Sequence, residues 1–315
     1  MDVAAAVEEA RRPMSRPRMP AVPLALRLRT SPALRGLVPS GAVLARAERV
    51  AGQRWRDQDD RDRAIATMET ILAGTRRAGE TVELARQRLI DDEANRAIFW
   101  APWRFPEPSE ATAERVRTLL ESKRPLVFSG CHLGPYFQQF AALPGYGVDV
   151  ISVGGGWHFA EATPDLWGRR LARWVRGLAD AGLRRIPAPG SFEPLRALLE
   201  LGEPVALNFD VPGSFHTQFL GKPVDLASGT SRLAHLTGAL VVPMLTRREG
   251  MLARVELLAP LDARDFQTPA ELHEALAAVH EGSVLAFPHT LEDPGRPGSW
   301  ESGASPACWR RPEAV

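Results

Sequence analysis

The alternation of hydrophobic and polar positions changes rhythm part-way along the chain. From about residue 40 to 100, apolar residues recur three or four apart, as in Val43, Leu44, Ala47 and Val50, then Ile65, Met68, Ile71 and Leu72, then Val82, Leu84, Leu89 and Ile90. That spacing predicts amphipathic helices, divided at Gly74 and Gly79. The charged residues between them, Arg56 to Arg61, read as solvated faces. A cluster of Pro102, Pro106 and Pro108 closes this region, and Ser109 caps a further predicted helix. Beyond it the pattern shortens to compact apolar runs at 125–129, 148–153, 205–209, 240–245, 253–258 and 284–287, each read as a buried strand. Helical stretches at 136–143, 164–181, 192–201, 228–237 and 269–280 lie between them. Strands alternating with helices predict an α/β layered sandwich with a largely parallel central sheet and a helical N-terminal lead-in. The expected organisation is a flexible basic arm over 1–40, broken by six prolines, a helical lead-in over 41–108, an α/β domain over 109–300 and a tail over 301–315.

Composition narrows the function classes. The chain has 315 residues with 39 basic against 38 acidic, a formal net charge of +1, so no global field recruits nucleic acid. Only Lys123 and Lys222 among the basic residues are lysine, an arginine bias read as base composition of the genome. Two cysteines, Cys131 and Cys308, exclude a disulfide framework and a cysteine-rich zinc module. No apolar run reaches the length of a bilayer span, and no signal peptide is recognisable. The expected location is cytoplasmic, with at most peripheral contact at the inner membrane face. The seven histidines show no metal-ligand spacing, and phosphate-loop, dinucleotide and Gly-x-Ser-x-Gly patterns are absent, so no metal or resident cofactor is expected.

Three stretches carry candidate chemistry. Ser129 to Phe137 follows a predicted strand, so His132 stands where open α/β sheets bind ligands, as a general base or as a structural histidine. Gly134 lets a backbone approach substrate, and Cys131, Tyr136 and Gln138 flank it as candidate substrate contacts. Cys131 is also a candidate nucleophile, although adjacent residues on extended backbone face opposite ways. A second predicted strand runs into Asp210, either an orienting carboxylate for His132 or a turn cap. Third, Ser228-Gly229-Thr230-Ser231 precedes a helix carrying Arg232, either an anion site or an ordinary helix cap. Trp157, after three glycines, is a further candidate contact to an acyl chain.

In this order, His132-Leu133-Gly134, Asp210, Phe219-Leu220-Gly221-Lys222-Pro223, Ser228-Gly229-Thr230 and Gly238-Ala239-Leu240-Val241-Val242-Pro243 resemble the lysophospholipid acyltransferase superfamily. The resemblance is to its lipid A lauroyl/myristoyl branch and to phosphatidylinositol mannoside acyltransferases, over roughly residues 43–300. It implies acyl transfer from a CoA or acyl-carrier-protein thioester, the co-substrate, to a hydroxyl- or amine-bearing small molecule or lipid. His132 would deprotonate the acceptor, and Ser228 or Arg232 would steady the acceptor or the donor's phosphates. The family pattern places an acid five positions after the histidine. Here that position is Phe137, followed by Gln138 and Gln139, so Asp210 is expected to take the orienting part. A thioester hydrolase on the same cleft and a non-catalytic acyl- or carrier-protein-binding module remain as alternatives.

Overall fold

The computed structural model describes residues 2–155, 159 and 163–292. Its amino-terminal helices are α1 (Val3–Arg11), α2 (Leu24–Arg29), α3 (Pro32–Gly36), α4 (Ser40–Arg56), α5 (Gln58–Leu72), α6 (Thr81–Trp100) and α7 (Glu110–Glu121). Ser109 caps α7 as expected, its hydroxyl accepting from the Thr112 N–H at 3.2 Å. The chain continues through β1 (Leu126–Gly130), β2 (Ile151–Gly154), α8 (Leu166–Asp180), β3 (Arg184–Pro187), α9 (Phe192–Glu200) and β4 (Val205–Asn208). It then runs through β5 (Pro212–Phe219), β6 (Lys222–Leu226), α10 (Gly229–Thr237), β7 (Leu240–Glu249), β8 (Leu252–Leu257), β9 (Leu261–Asp262) and α11 (Pro269–Ala286).

The main sheet has the order β3-β2-β4-β1-β7-β8, with β9 paired to β7. Strands β1, β2, β3, β4 and β7 pair in parallel, and β8 and β9 run antiparallel to β7. Helices cover the sheet, and β5 and β6 form a separate antiparallel pair. The mixed α/β layering with a mostly parallel centre is the architecture the alternating pattern predicts.

Two expectations are corrected. Within the expected flexible arm, residues 2–40 contain three helices, and α1 buries Ala6, Val7 and Ala10 and packs on α9 and β3. The prolines fall between helices or at their starts, as Pro23, Pro32 and Pro39 do, where a missing N–H costs nothing. The apolar run at 284–287 is not a strand but chiefly the last turn of α11, which continues past residue 280. A run of four apolar residues has no period of its own, and here no turn separates it from the helix before it. The helical lead-in packs into the core of the α/β layer. Met68, Ile71, Leu72 and Leu89 share one buried core with Leu133, Phe209 and Leu276.

Candidate active site at the ends of β1 and β4

Strands β1 and β4 are parallel neighbours, in a register that sets Gly130 opposite Asn208. Two residues further along each chain stand His132 and Asp210, so equal steps from level strand ends bring them together. The Asp210 carboxylate takes two hydrogen bonds from one residue. The His132 backbone N–H donates to Oδ2 at 2.7 Å, and ring Nδ1 lies 2.9 Å from Oδ1. A carboxylate can only accept, which assigns the ring proton to Nδ1 and leaves a lone pair on Nε2. Asp210 is 4% exposed, whereas the His132 side chain keeps 23%. Burial alone would raise the Asp210 carboxyl, but the charge and hydrogen bonds of His132 outweigh it and hold it below its ordinary value.

A further side chain, Asn208, meets the other ring nitrogen, and Gln139 holds it there. Asn208 Nδ2 lies 3.3 Å from His132 Nε2, and Asn208 Oδ1 accepts from Gln139 Nε2 at 2.6 Å. Gln139 therefore fixes which end of the amide faces the histidine. Neither residue stood among the sequence candidates. The available signal was the strand period of two, which puts Asn208 and Asp210 on one side of the chain. Gln138, which was a candidate, is instead 1% exposed, with both polar side-chain atoms sealed and unpartnered.

Tyr136 packs edge-on against the His132 ring at 4.7 Å and 72°, and its hydroxyl donates to Glu292 at 3.0 Å. Gly134 has φ +63°, and an added Cβ would sit 2.6 Å from the Thr246 carbonyl oxygen, so only glycine fits there. Its N–H donates to the Thr290 carbonyl and that of Leu133 to the Cys131 carbonyl. The loop thus uses the Gly134 N–H to hold itself rather than to meet a bound substrate. A cavity of about 400 Å³ reaches Gly134, Tyr136 and Glu292, and its far wall comes from α4, α5 and α6 through Arg54, Asp60 and Arg88. Asp60, expected on a solvated face, is turned toward this cavity by the packing of the lead-in.

The remaining candidates do not join this cluster. Cys131 is 2% exposed in the hydrophobic core, and burial, then the nearby Asp210 charge, pushes its thiol well up, the opposite of an activated nucleophile. Ser228 and Thr230 are buried at the start of α10, and the exposed Arg232 guanidinium sits 4.7 Å over the Phe192 ring of α9. None of the three lines the cavity, and neither do His132 and Asp210. Trp157 lies outside the described residues. Phe137, at the position of the family's acid, packs with Phe99 and Ile98.

Beneath the site α11 contributes two further histidines. Phe209 lies between His273 and His280, each imidazole centroid 5.0 Å from the phenyl ring at interplanar angles of 34° and 27°. His280 Nε2 is 2.9 Å from Ser129 Oγ, and burial pushes its pKa down to about 4. No helix among the described residues is long and apolar enough to cross a membrane. No family model matches the chain, and no curated protein matches it in sequence.

Proposed function

We propose that the protein is an acyltransferase that moves an acyl group from a CoA or acyl-carrier-protein thioester to a hydroxyl or amine. The observation that carries this reading is the His132–Asp210 pair, a buried carboxylate that holds Nδ1 of a partly exposed imidazole and leaves Nε2, beside the Asn208 amide, as the basic nitrogen. The ordered motifs that resemble the lysophospholipid acyltransferase superfamily point to the same chemistry, and Asp210 supplies by topology the carboxylate that Phe137 lacks in sequence.

In the proposed step, Nε2 accepts the proton of the acceptor as its oxygen or nitrogen attacks the thioester carbonyl carbon. The tetrahedral intermediate collapses with cleavage of the C–S bond, and the imidazolium returns the proton to the departing thiolate. Asp210 keeps Nδ1 protonated and stabilises the imidazolium. The oxyanion needs a donor beside Nε2. Asn208 Nδ2, held in place by Gln139, is the group in position, and such a donor contributes about 3–4 kcal/mol to the transition state. The acceptor enters through the cavity at Gly134 and Tyr136. We place the protein in the cytoplasm, with at most peripheral membrane contact.

The test is free-thiol release from a panel of acyl-CoA and acyl-carrier-protein thioesters, with and without candidate acceptors, for wild type and His132→Ala. Acceptor-dependent release that vanishes in the variant supports acyl transfer. Release without any acceptor makes the protein a thioester hydrolase, and its absence throughout, with acyl binding retained, makes it a binding module.

A further inference from the structure

Asp210 fixes only part of the candidate base. Its two hydrogen bonds hold the His132 main chain and ring Nδ1, and a ring tethered at one nitrogen still swings about that tether. At the other nitrogen the Asn208 amide stands at 3.3 Å, beyond the ordinary length of such a bond. A base has to meet its proton within about 0.5 Å and about 10–20° of the productive geometry, which leaves the swing of the imidazole to be restrained from elsewhere.

A closed chain of contacts supplies that restraint. The Glu292 N–H donates to the His132 carbonyl at 2.8 Å, and the Glu292 carboxylate accepts from the Tyr136 hydroxyl at 3.0 Å. The Tyr136 ring returns to the imidazole, edge-on at 4.7 Å, and also packs edge-on against Trp174 of α8 at 6.2 Å. One residue, 156 positions after Tyr136, thus grips the histidine twice: through its main chain, and through the ring by way of a phenol.

Glu292 is itself held. Residues 290–292 run antiparallel to 132–134, with Leu133 bridged to Leu291 and the Gly134 N–H on the Thr290 carbonyl at 2.9 Å. Helix α6 anchors the same strip twice. Arg88 Nη1 donates to the Leu291 carbonyl at 2.5 Å, and His289 Nε2 lies 3.1 Å from the Asp91 carboxylate. A segment tied at four successive residues can pass its position on to the ring it braces.

We infer that Glu292 and Tyr136 are positioning residues that hold the His132 imidazole in line between Asp210 and the acceptor, so that the strip after α11 completes the base. Neither takes the acceptor's proton; both act through His132. Their effect on turnover rests on the acyl-transfer reading, whereas the restraint on the ring does not.

Four variants test this. Tyr136→Phe and Glu292→Ala each remove the hydroxyl–carboxylate bond, Glu292→Gln keeps an acceptor oxygen, and the fourth combines Tyr136→Phe with Glu292→Ala. The first readout needs no substrate. In protein carrying 13C at histidine Cε1, the His132 signal is assigned by its loss in His132→Gln, and its order parameter should be about 0.85 in wild type. It should fall below about 0.6 in Tyr136→Phe and Glu292→Ala and stay near the wild-type value in Glu292→Gln. The second readout is thiol release. There kcat should fall about tenfold in the same two variants with KM within about twofold, and Glu292→Gln should stay within about threefold of wild type. The double variant should be no worse than either single one, because both break the same bond. A ring already mobile in wild type, or an unchanged order parameter in folded Tyr136→Phe, overturns the inference, as do additive losses in the double variant. If Glu292→Ala does not fold, Tyr136→Phe decides alone. A ring loosened as expected, with no thiol release even from wild type, would retire the acyl-transfer reading and leave the restraint standing.

Discussion

Two histidines lie close beneath the same sheet edge, and their surroundings give them opposite properties. His132 has a buried carboxylate on Nδ1, the Asn208 amide at Nε2 and a partly exposed ring, whereas His280 is fully buried, with a serine hydroxyl on Nε2 and nothing on Nδ1. The first arrangement can pick up and return a proton. The second holds the ring neutral and uses it to pack Phe209, the residue immediately before Asp210. What distinguishes the proposed base from the structural imidazole is a carboxylate partner and partial exposure, not the residue type.

That contrast can be broken from either side. Asp210→Asn should have the largest effect, lowering kcat by about 10³–10⁴-fold with a small change in KM, because the amide no longer enforces the tautomer; steady-state thiol release measures it. Asn208→Ala should cost about 10²–10³-fold in kcat and leave thermal stability nearly unchanged, which assigns the amide to the transition state rather than to the scaffold.

His280 should answer in stability instead. Its unfolded imidazole takes a proton below about pH 6.5, but the folded one does so only near pH 4, so stability falls as pH drops between those values and levels off beneath. The interval amounts to about 3 kcal/mol, and urea unfolding at pH 7 and pH 4.5 should show it in wild type and largely lose it in His280→Gln. Asp91→Asn should be milder still, costing about 2 kcal/mol at neutral pH. Burial would raise Asp91, but His289 and Arg248 hold it below its ordinary value, so its contribution is present at neutral pH and disappears as pH falls through that lowered value. Cys131→Ala is the smallest change: thiol release should persist, with a loss of about 1 kcal/mol in stability.

Most of the sheet was legible because buried parallel strands are short apolar runs bounded by turn residues, and His132 and Asp210 were legible as residues at the ends of two such runs. Strand β3 was not, because Arg184 and Arg185 interrupt its apolar character. Arg184 is satisfied by Asp149 and Glu203, a compensation that only the folded chain reveals. The expected helix over 136–143 is a series of short 3₁₀ turns, since Pro135 and Pro144 bound a segment too brief to propagate an α-helix. The cavity wall was invisible for another reason. Arg54, Asp60 and Arg88 have ordinary surface spacing, and nothing local indicates that their helices fold back over the sheet edge.

The position of β4 between β2 and β1 carries a consequence for how the molecule comes into being. Both of those strands are made earlier, so a nascent chain ending before Val205 has no middle strand to join them, and β2 must wait for a neighbour still to be synthesised. Because β4 also delivers Asn208 and Asp210, the candidate site cannot assemble in halves. Under the proposed function, activity recovered during refolding would time the closing of this gap, and a fragment lacking β4 would carry His132 without Asn208 and Asp210.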